Sequence, residues 1–346
     1  MTHSQRQSTN RGFSLVELMV ALVISLILLG GVIKIYESSK QAYRAQDNQA
    51  RLQENGRFAM YFLAKDIRMA GYMGCNRLWD LYPNNPYVIA NNPPMTPLFS
   101  AETVIGGYDG GTWPASFPAK PAKLVAGTDA ILVRHASPIG VSLAVSMSLD
   151  TDEIQIGPNP NNYQTGDILF ITDCSNADIF RATSISKGAG GIITIAHASN
   201  QNTSNRLSKA YKTDAQVMAF EYSLYYIRTT ATPGVDALYR VTANSGPEEL
   251  VDGVRDMQFL YGRDMTNDSA ANEYDTAAKI NGAADWSAVV SVRVSLLLVS
   301  QGNFLTQTRQ ELHFNGTTYK APDNRMYAAF GDTVTLRNVT LRNRIP

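Results

Sequence analysis

One carboxylate, Glu17, stands near the start of an apolar run that extends from Phe13 to Ile33 and holds no other charged residue. An ionisable side chain at membrane depth costs on the order of 2.5 kcal/mol or more unless it meets a partner, so a charge kept there is read first as functional. The run itself is long enough to cross a bilayer, for which an α-helix needs ~20 apolar residues. The twelve residues before it carry Arg6, Arg11 and His3 and no acid. That flank predicts a start on the cytoplasmic side, with everything after the run on the far side. No Ala-x-Ala follows the run, which argues against removal of the segment as an ordinary secretory signal. Gly30 and Gly31, near its end, each cost about 1 kcal/mol of helix propensity against alanine. They mark either a place to bend or a place for a neighbouring helix to approach closely.

Beyond Lys34 the helical pattern continues and turns amphipathic. Leu52, Ala59, Leu63, Ile67 and Ala70 recur on one face, while Arg57, Lys65 and Arg68 gather on another. The expectation is one helix whose second part docks on a globular domain, with Gly56 the point at which it would break. Between Pro83 and Pro121 lie eight of the chain's fifteen prolines, together with Asn84-Asn85, Asn91-Asn92, Gly106-Gly107 and Gly110-Gly111. That composition predicts surface loops without regular elements. Strand-like runs follow at Ala130–Val133, Asp167–Thr172, Gly191–Ala196, Val217–Ile227 and Val289–Val299. In the last, Val290, Val292, Val294, Leu296 and Leu298 alternate with Ser291, Arg293 and Ser295, so one face is core and the other partly wet. The predicted class is α+β, an N-terminal helix on antiparallel sheet, and with 44% apolar residues the part after the helix can bury a sizeable core.

Gly12-Phe13 followed by Glu17 in an apolar helix resembles the class III signal of type IV prepilins. Further stretches, Leu52-Gln53-Glu54-Asn55-Gly56-Arg57-Phe58-Ala59, Asp66 to Cys75, Leu250 to Met257 through Tyr261-Gly262, Ser287 to Leu298, and Thr333 to Asn338, are similar to the PilW family of minor pilins. The resemblance implies a type IV pilin-like fold and a division into a leader at 1–12, a membrane and assembly helix at 13–33, its amphipathic continuation at 34–71, and a periplasmic head at 72–346. It also implies cleavage by prepilin peptidase between Gly12 and Phe13, N-methylation of Phe13, and a role for Glu17 in subunit assembly. Expected partners are the inner membrane, other minor pilins, the major pilin and a PilY-type tip adhesin, in a complex that primes the fibre and sits at its tip. Related J-type pseudopilins of type II secretion share this plan and are a second reading, although usually shorter.

A membrane-anchored enzyme or ligand-binding protein is the reading from another class, and it would need a convergent polar pocket in the sheet domain. The residues offer little chemistry. His3, His135, His197 and His313 are scattered without metal-ligand spacing, and neither a phosphate-binding glycine loop nor a nucleophile elbow is present. Asp264, Asn267, Asp268, Glu273 and Asp275 have oxygens enough for calcium but not the spacing of an ordered loop, so a solvated loop is expected and no cofactor. Formal charge is zero; removal of the leader leaves 28 basic against 30 acidic residues, which gives no footprint for nucleic acid. Cys75 and Cys174 are the only cysteines. The anchor topology puts both in the periplasm, where an intramolecular disulfide is expected, the alternative being two buried thiols.

Overall fold

A computed structural model describes residues 14–75, 87–91, 103–243, 245–303 and 305–339. One α-helix runs from Leu15 to Met69, and the chain divides into two compact units at Ala50 and Arg51. The head unit therefore begins inside the helix and takes in its last turns. Leu52, Ala59, Leu63 and Ile67 are buried there, as their helical spacing predicts, while Arg57, Lys65 and Arg68 are exposed.

The helix does not break at Gly56. An added Cβ at that position would lie 2.4 Å from the Phe330 ring, so the glycine makes room for an aromatic side chain from the far end of the chain. Packing, not flexibility, is its reason. The helix ends where Gly71, at φ +73°, turns the chain and donates its N–H to Arg134 O at 3.0 Å. Asn338 Nδ2 donates to the carbonyls of Arg68 and Ala70 at 3.3 and 3.2 Å, capping groups the last turn leaves open.

Among the described residues the strands form sheets of nine, four, three and two strands. The long strand Gln216–Thr229 organises the largest. It pairs antiparallel with Ala130–Ala136 on one side, and with Ile168–Thr172 and then Asp236–Thr242 on the other. The four-stranded sheet runs Glu273–Asp275, Val254–Arg263, Val289–Val299, Tyr327–Thr335. Both sheets and the helix share one core, in which Ile131, Leu224, Met257, Val292 and Leu296 are fully buried. Each of the five predicted strand runs carries a strand. In Val289–Val299 the predicted face is core and Arg293 is exposed, but Leu297 and Val299 are buried as well, in a small cluster with Phe314 of the hairpin strand Glu311–Phe314.

The proline-rich stretch departs from the expectation of loops throughout. Ile105–Tyr108 is a fully buried strand paired with Ala130–Ala136. Its glycines read locally as turn residues, yet a Cβ at Gly107 would meet the Tyr261 hydroxyl at 2.3 Å and one at Gly106 the Phe117 ring at 2.7 Å. The flanking backbone is held by Arg134, 1% exposed, whose guanidinium donates to the carbonyls of Thr103 and Ser116. Burial lowers that guanidinium to about 10. A second core, under the three-stranded sheet Ile154–Ile156, Ile193–Ala196, Ser184–Lys187, gathers Ile156, Phe180, Ile195 and Tyr211.

Candidate functional site

Gly12 and Phe13 lie outside the described residues. Immediately after them Ser14 Oγ accepts the N–H of Val16 at 3.2 Å, while Glu17 Oε2 accepts the N–H of Ser14 at 3.2 Å. Ser14 is thus the N-cap, its hydroxyl on the second helical N–H, and Glu17, at the third helical position, reaches back to the N-cap N–H as in one half of a capping box. The Ser14-x-x-Glu17 spacing is the local sequence signature of that cap. From Leu15 to Ile35 the large apolar side chains are at least half exposed. This is the one described helix long and apolar enough to cross a membrane. Among the described residues, and apart from the helix's own adjoining backbone, nothing lies within 4 Å of a Cβ added at Gly30 or Gly31.

At the other end of the helix, Cys75 and Cys174 form a disulfide with Cα atoms 5.2 Å apart, as their shared compartment predicts. Cys174 is held in a positive-φ conformation, φ +70°, inside a turn that Asp173 organises. Asp173 Oδ1 accepts the N–H groups of Ser175 and Asn176 at 3.1 and 2.9 Å, and its other oxygen pairs with Lys209 at 2.5 Å. Burial alone would raise this carboxyl; the Lys209 ammonium and the turn donors outweigh it and hold it at about 2. The brace therefore joins the helix exit to the turn after Ile168–Thr172, in the large sheet.

The acidic loop is organised by the protein's own groups. Asp264 accepts the backbone N–H groups of Thr266, Asp268 and Ser269. Asp275 and Glu273 both pair with Arg263 and Lys279, at 2.6 to 3.0 Å. No trio of His, Cys, Asp or Glu among the described residues is placed to hold a metal ion. His197 Nε2 sits 2.9 Å from Asp152 O, and His313 lies on the hairpin strand Glu311–Phe314.

His135 belongs to a cleft of about 560 Å³ within the head unit. One wall is the helix flank with Tyr61, Lys65 and Arg68; the floor and opposite wall bring in Glu221, Ser223 and Arg240 from two strands of the large sheet. Cross-strand pairing of His135 with Glu221, and the two-residue step to Ser223, place these three on one sheet face. Asp66 is buried there, its Oδ2 accepting the Tyr225 hydroxyl at 2.6 Å. Glu221 stands 3.8 Å from His135 Nδ1, beyond hydrogen-bond reach, and that nitrogen is 2.9 Å from Ala136 O. Ser223 makes no hydrogen bond to the imidazole, so the nucleophile and base of an acyl-transfer site are not assembled. The chain thus has a polar pocket within the head unit. The sequence did not reveal it, because its walls come from segments far apart along the chain.

Comparison with known protein families gives two matches. Residues 224–338 match PilW, type IV pilus-assembly protein W, and residues 7–33 match the prokaryotic N-terminal methylation motif. The first spans the second half of the long central strand, the whole four-stranded sheet and the Asn338 cap on the helix end; the second spans Gly12, Phe13, Glu17 and the apolar run. No curated protein and no solved structure matches the chain.

Proposed function

We propose that this chain, which belongs to the PilW family and carries the prepilin methylation motif, is a minor pilin of the type IV pilus. The observation that carries the reading is the exposed apolar helix bearing that motif, continuous with the helix that the family-matched sheets bury. A subunit of this kind waits in the inner membrane with its head in the periplasm. Prepilin peptidase cuts between Gly12 and Phe13, and the new Phe13 amine is methylated. The helix then leaves lipid for a bundle of like helices in the fibre.

Glu17 has a defined task in that transfer. Before assembly its carboxylate is occupied by the Ser14 N–H. In a bundle of apolar helices a neighbouring subunit's N-terminal amine is a stronger partner, because attraction between charges grows as water is excluded. The pair sets the register of the incoming subunit. A complex with other minor pilins, formed through the helix and the head, primes the fibre and then occupies its tip with a PilY-type adhesin.

The experiment is intact-mass analysis of the protein from membranes, joined to a count of surface pili in a deletion strain. The expected results are an N-terminus at Phe13 carrying one methyl group, and far fewer fibres. An N-terminus at Met1, or normal piliation without the gene, would overturn the reading. A secretion defect with intact pili would point instead to a pseudopilus.

A further inference from the structure

The cleft beside the helix has features that the helix's packing role does not explain. Lys65 and Arg68 line it, both exposed, and neither has a carboxylate partner among the described residues. Arg240, on the opposite wall, is tied to Glu248 at 2.9 Å and contributes a third cation. His135 is only 6% exposed, yet its Nε2 makes no hydrogen bond. The carboxylates nearby are otherwise engaged: Glu248 pairs with Arg240, Asp66 is buried and holds the Tyr225 hydroxyl, and Glu221 stands beside His135, which leaves Lys65 and Arg68 as the cations without a carboxylate partner among the described residues.

The cations also form part of a longer strip. Arg57, Tyr61, Lys65 and Arg68 follow at helical spacing on one flank, all four exposed, and Arg57 too has no partner among the described residues. Eleven residues of helix rise about 16 Å, more than a single small anion can cover. Tyr61, 59% exposed between the cations, supplies apolar contact area. A volume of about 560 Å³ fits a few side chains rather than a domain.

From this arrangement we infer that the cleft receives an acidic peptide segment of an adjoining pilin subunit. One carboxylate side chain seats between Lys65, Arg68 and Arg240, and the rest of the segment lies along the strip toward Arg57. The inference rests on the reading of the chain as a pilus subunit and names the chemistry of one of its contacts.

The test uses the full-length oxidised protein in detergent micelles, with fluorescein-labelled hexaglutamate and hexalysine as probes followed by anisotropy. Hexaglutamate should bind and hexalysine should not. Binding should weaken about tenfold or more in Lys65→Glu/Arg68→Glu, and should fall with added salt. Lys65→Gln/Arg68→Gln removes the charges but keeps polar side chains, leaves the buried helix face untouched, and should give an intermediate loss. Preference for hexalysine, unchanged binding by the charge-reversed variant, or tighter binding of polygalacturonate than of hexaglutamate would overturn the assignment.

A photoreactive phenylalanine at Tyr61 then separates this inference from the reading beneath it. Cross-linking to an acidic segment of another pilin is the expected outcome. If pilins co-purify with the protein but none cross-links at Tyr61, the cleft assignment fails and the subunit reading stands. If no pilin co-purifies at all, the subunit reading fails with it.

Discussion

Asp129 shows how one residue sets a pH response for the head. It is buried, and its Oδ2 accepts the N–H of Phe259 at 2.7 Å. Burial raises its carboxyl to about 7, with Asp109 and Asp256 adding to the effect and the Phe259 bond opposing it. Between the ordinary carboxylate range and pH 7 the folded protein therefore holds a proton that the unfolded chain releases. Stability from this group is complete at acid pH and is lost as pH rises through about 7, with a slope of at most ~1.4 kcal/mol per pH unit. Asp129→Asn keeps an acceptor for Phe259 and removes the charge. The variant should melt higher than the parent at pH 8, with the difference shrinking toward pH 4; parallel melting curves at both pH values would refute this. Gly56 gives a second prediction at this scale. Alanine there gains about 1 kcal/mol of helix propensity but overpacks against Phe330 at a cost of ~1–3 kcal/mol, so Gly56→Ala should be net destabilising. Trimming the ring with Phe330→Leu should recover the loss, and a double-mutant cycle that shows no coupling would refute the contact.

At the scale of elements, the helix and the clearest strand were legible because their hydrophobic periods are local. Leu52, Ala59, Leu63 and Ile67 announce a helical face, and Val292, Val294, Leu296 and Leu298 a strand face, without reference to the rest of the chain. Gly56 and Gly106-Gly107 were not legible in this way. Their meaning is set by Phe330, Tyr261 and Phe117, and local composition reports such glycines only as breaks. The same applies to the cleft, whose walls meet through strand pairing rather than proximity in sequence. The N-terminal signal, Gly12, Phe13 and Glu17, is a local motif of a few residues, and the methylation-motif match over residues 7–33 covers it. Two predictions belong here. Asn338→Ala should destabilise the head by about 1 kcal/mol and speed hydrogen exchange in the last helical turn, an effect absent if the cap is incidental. Replacing Cys75 and Cys174 with serine should cost up to about 4.7 kcal/mol in the chain-entropy model, read as a lowered denaturant midpoint. Unreacted thiols in the protein isolated from membranes would show instead that the bridge does not form in the cell.

For the molecule as a whole, the proposed end position is tested by copy number. A shaft subunit must offer matching surfaces above and below at every step. The compact unit Arg51–Pro346 is large for that duty, while an end position requires packing on one side only. The expected outcome is scarcity: quantitative proteomics of sheared pili should find this chain at a small fraction of the major pilin. Near-equal abundance would make it a shaft component. If the chain primes assembly as proposed, deletion should lower the number of fibres more than their length.

The brace also has a mechanical meaning. Tension on a fibre subunit enters the head through the helix, and Cys75 lies only a few residues beyond Met69. From there the covalent bond hands the load to Cys174, beside the large sheet. The segment between the two cysteines, which are 99 apart in sequence, is taken out of the load path. Under pulling, the oxidised protein should extend without paying out that length, and reduction should release it as an additional slack segment. A peptide-bond nick anywhere between the cysteines would leave the anchor and the rest of the head as one covalent piece.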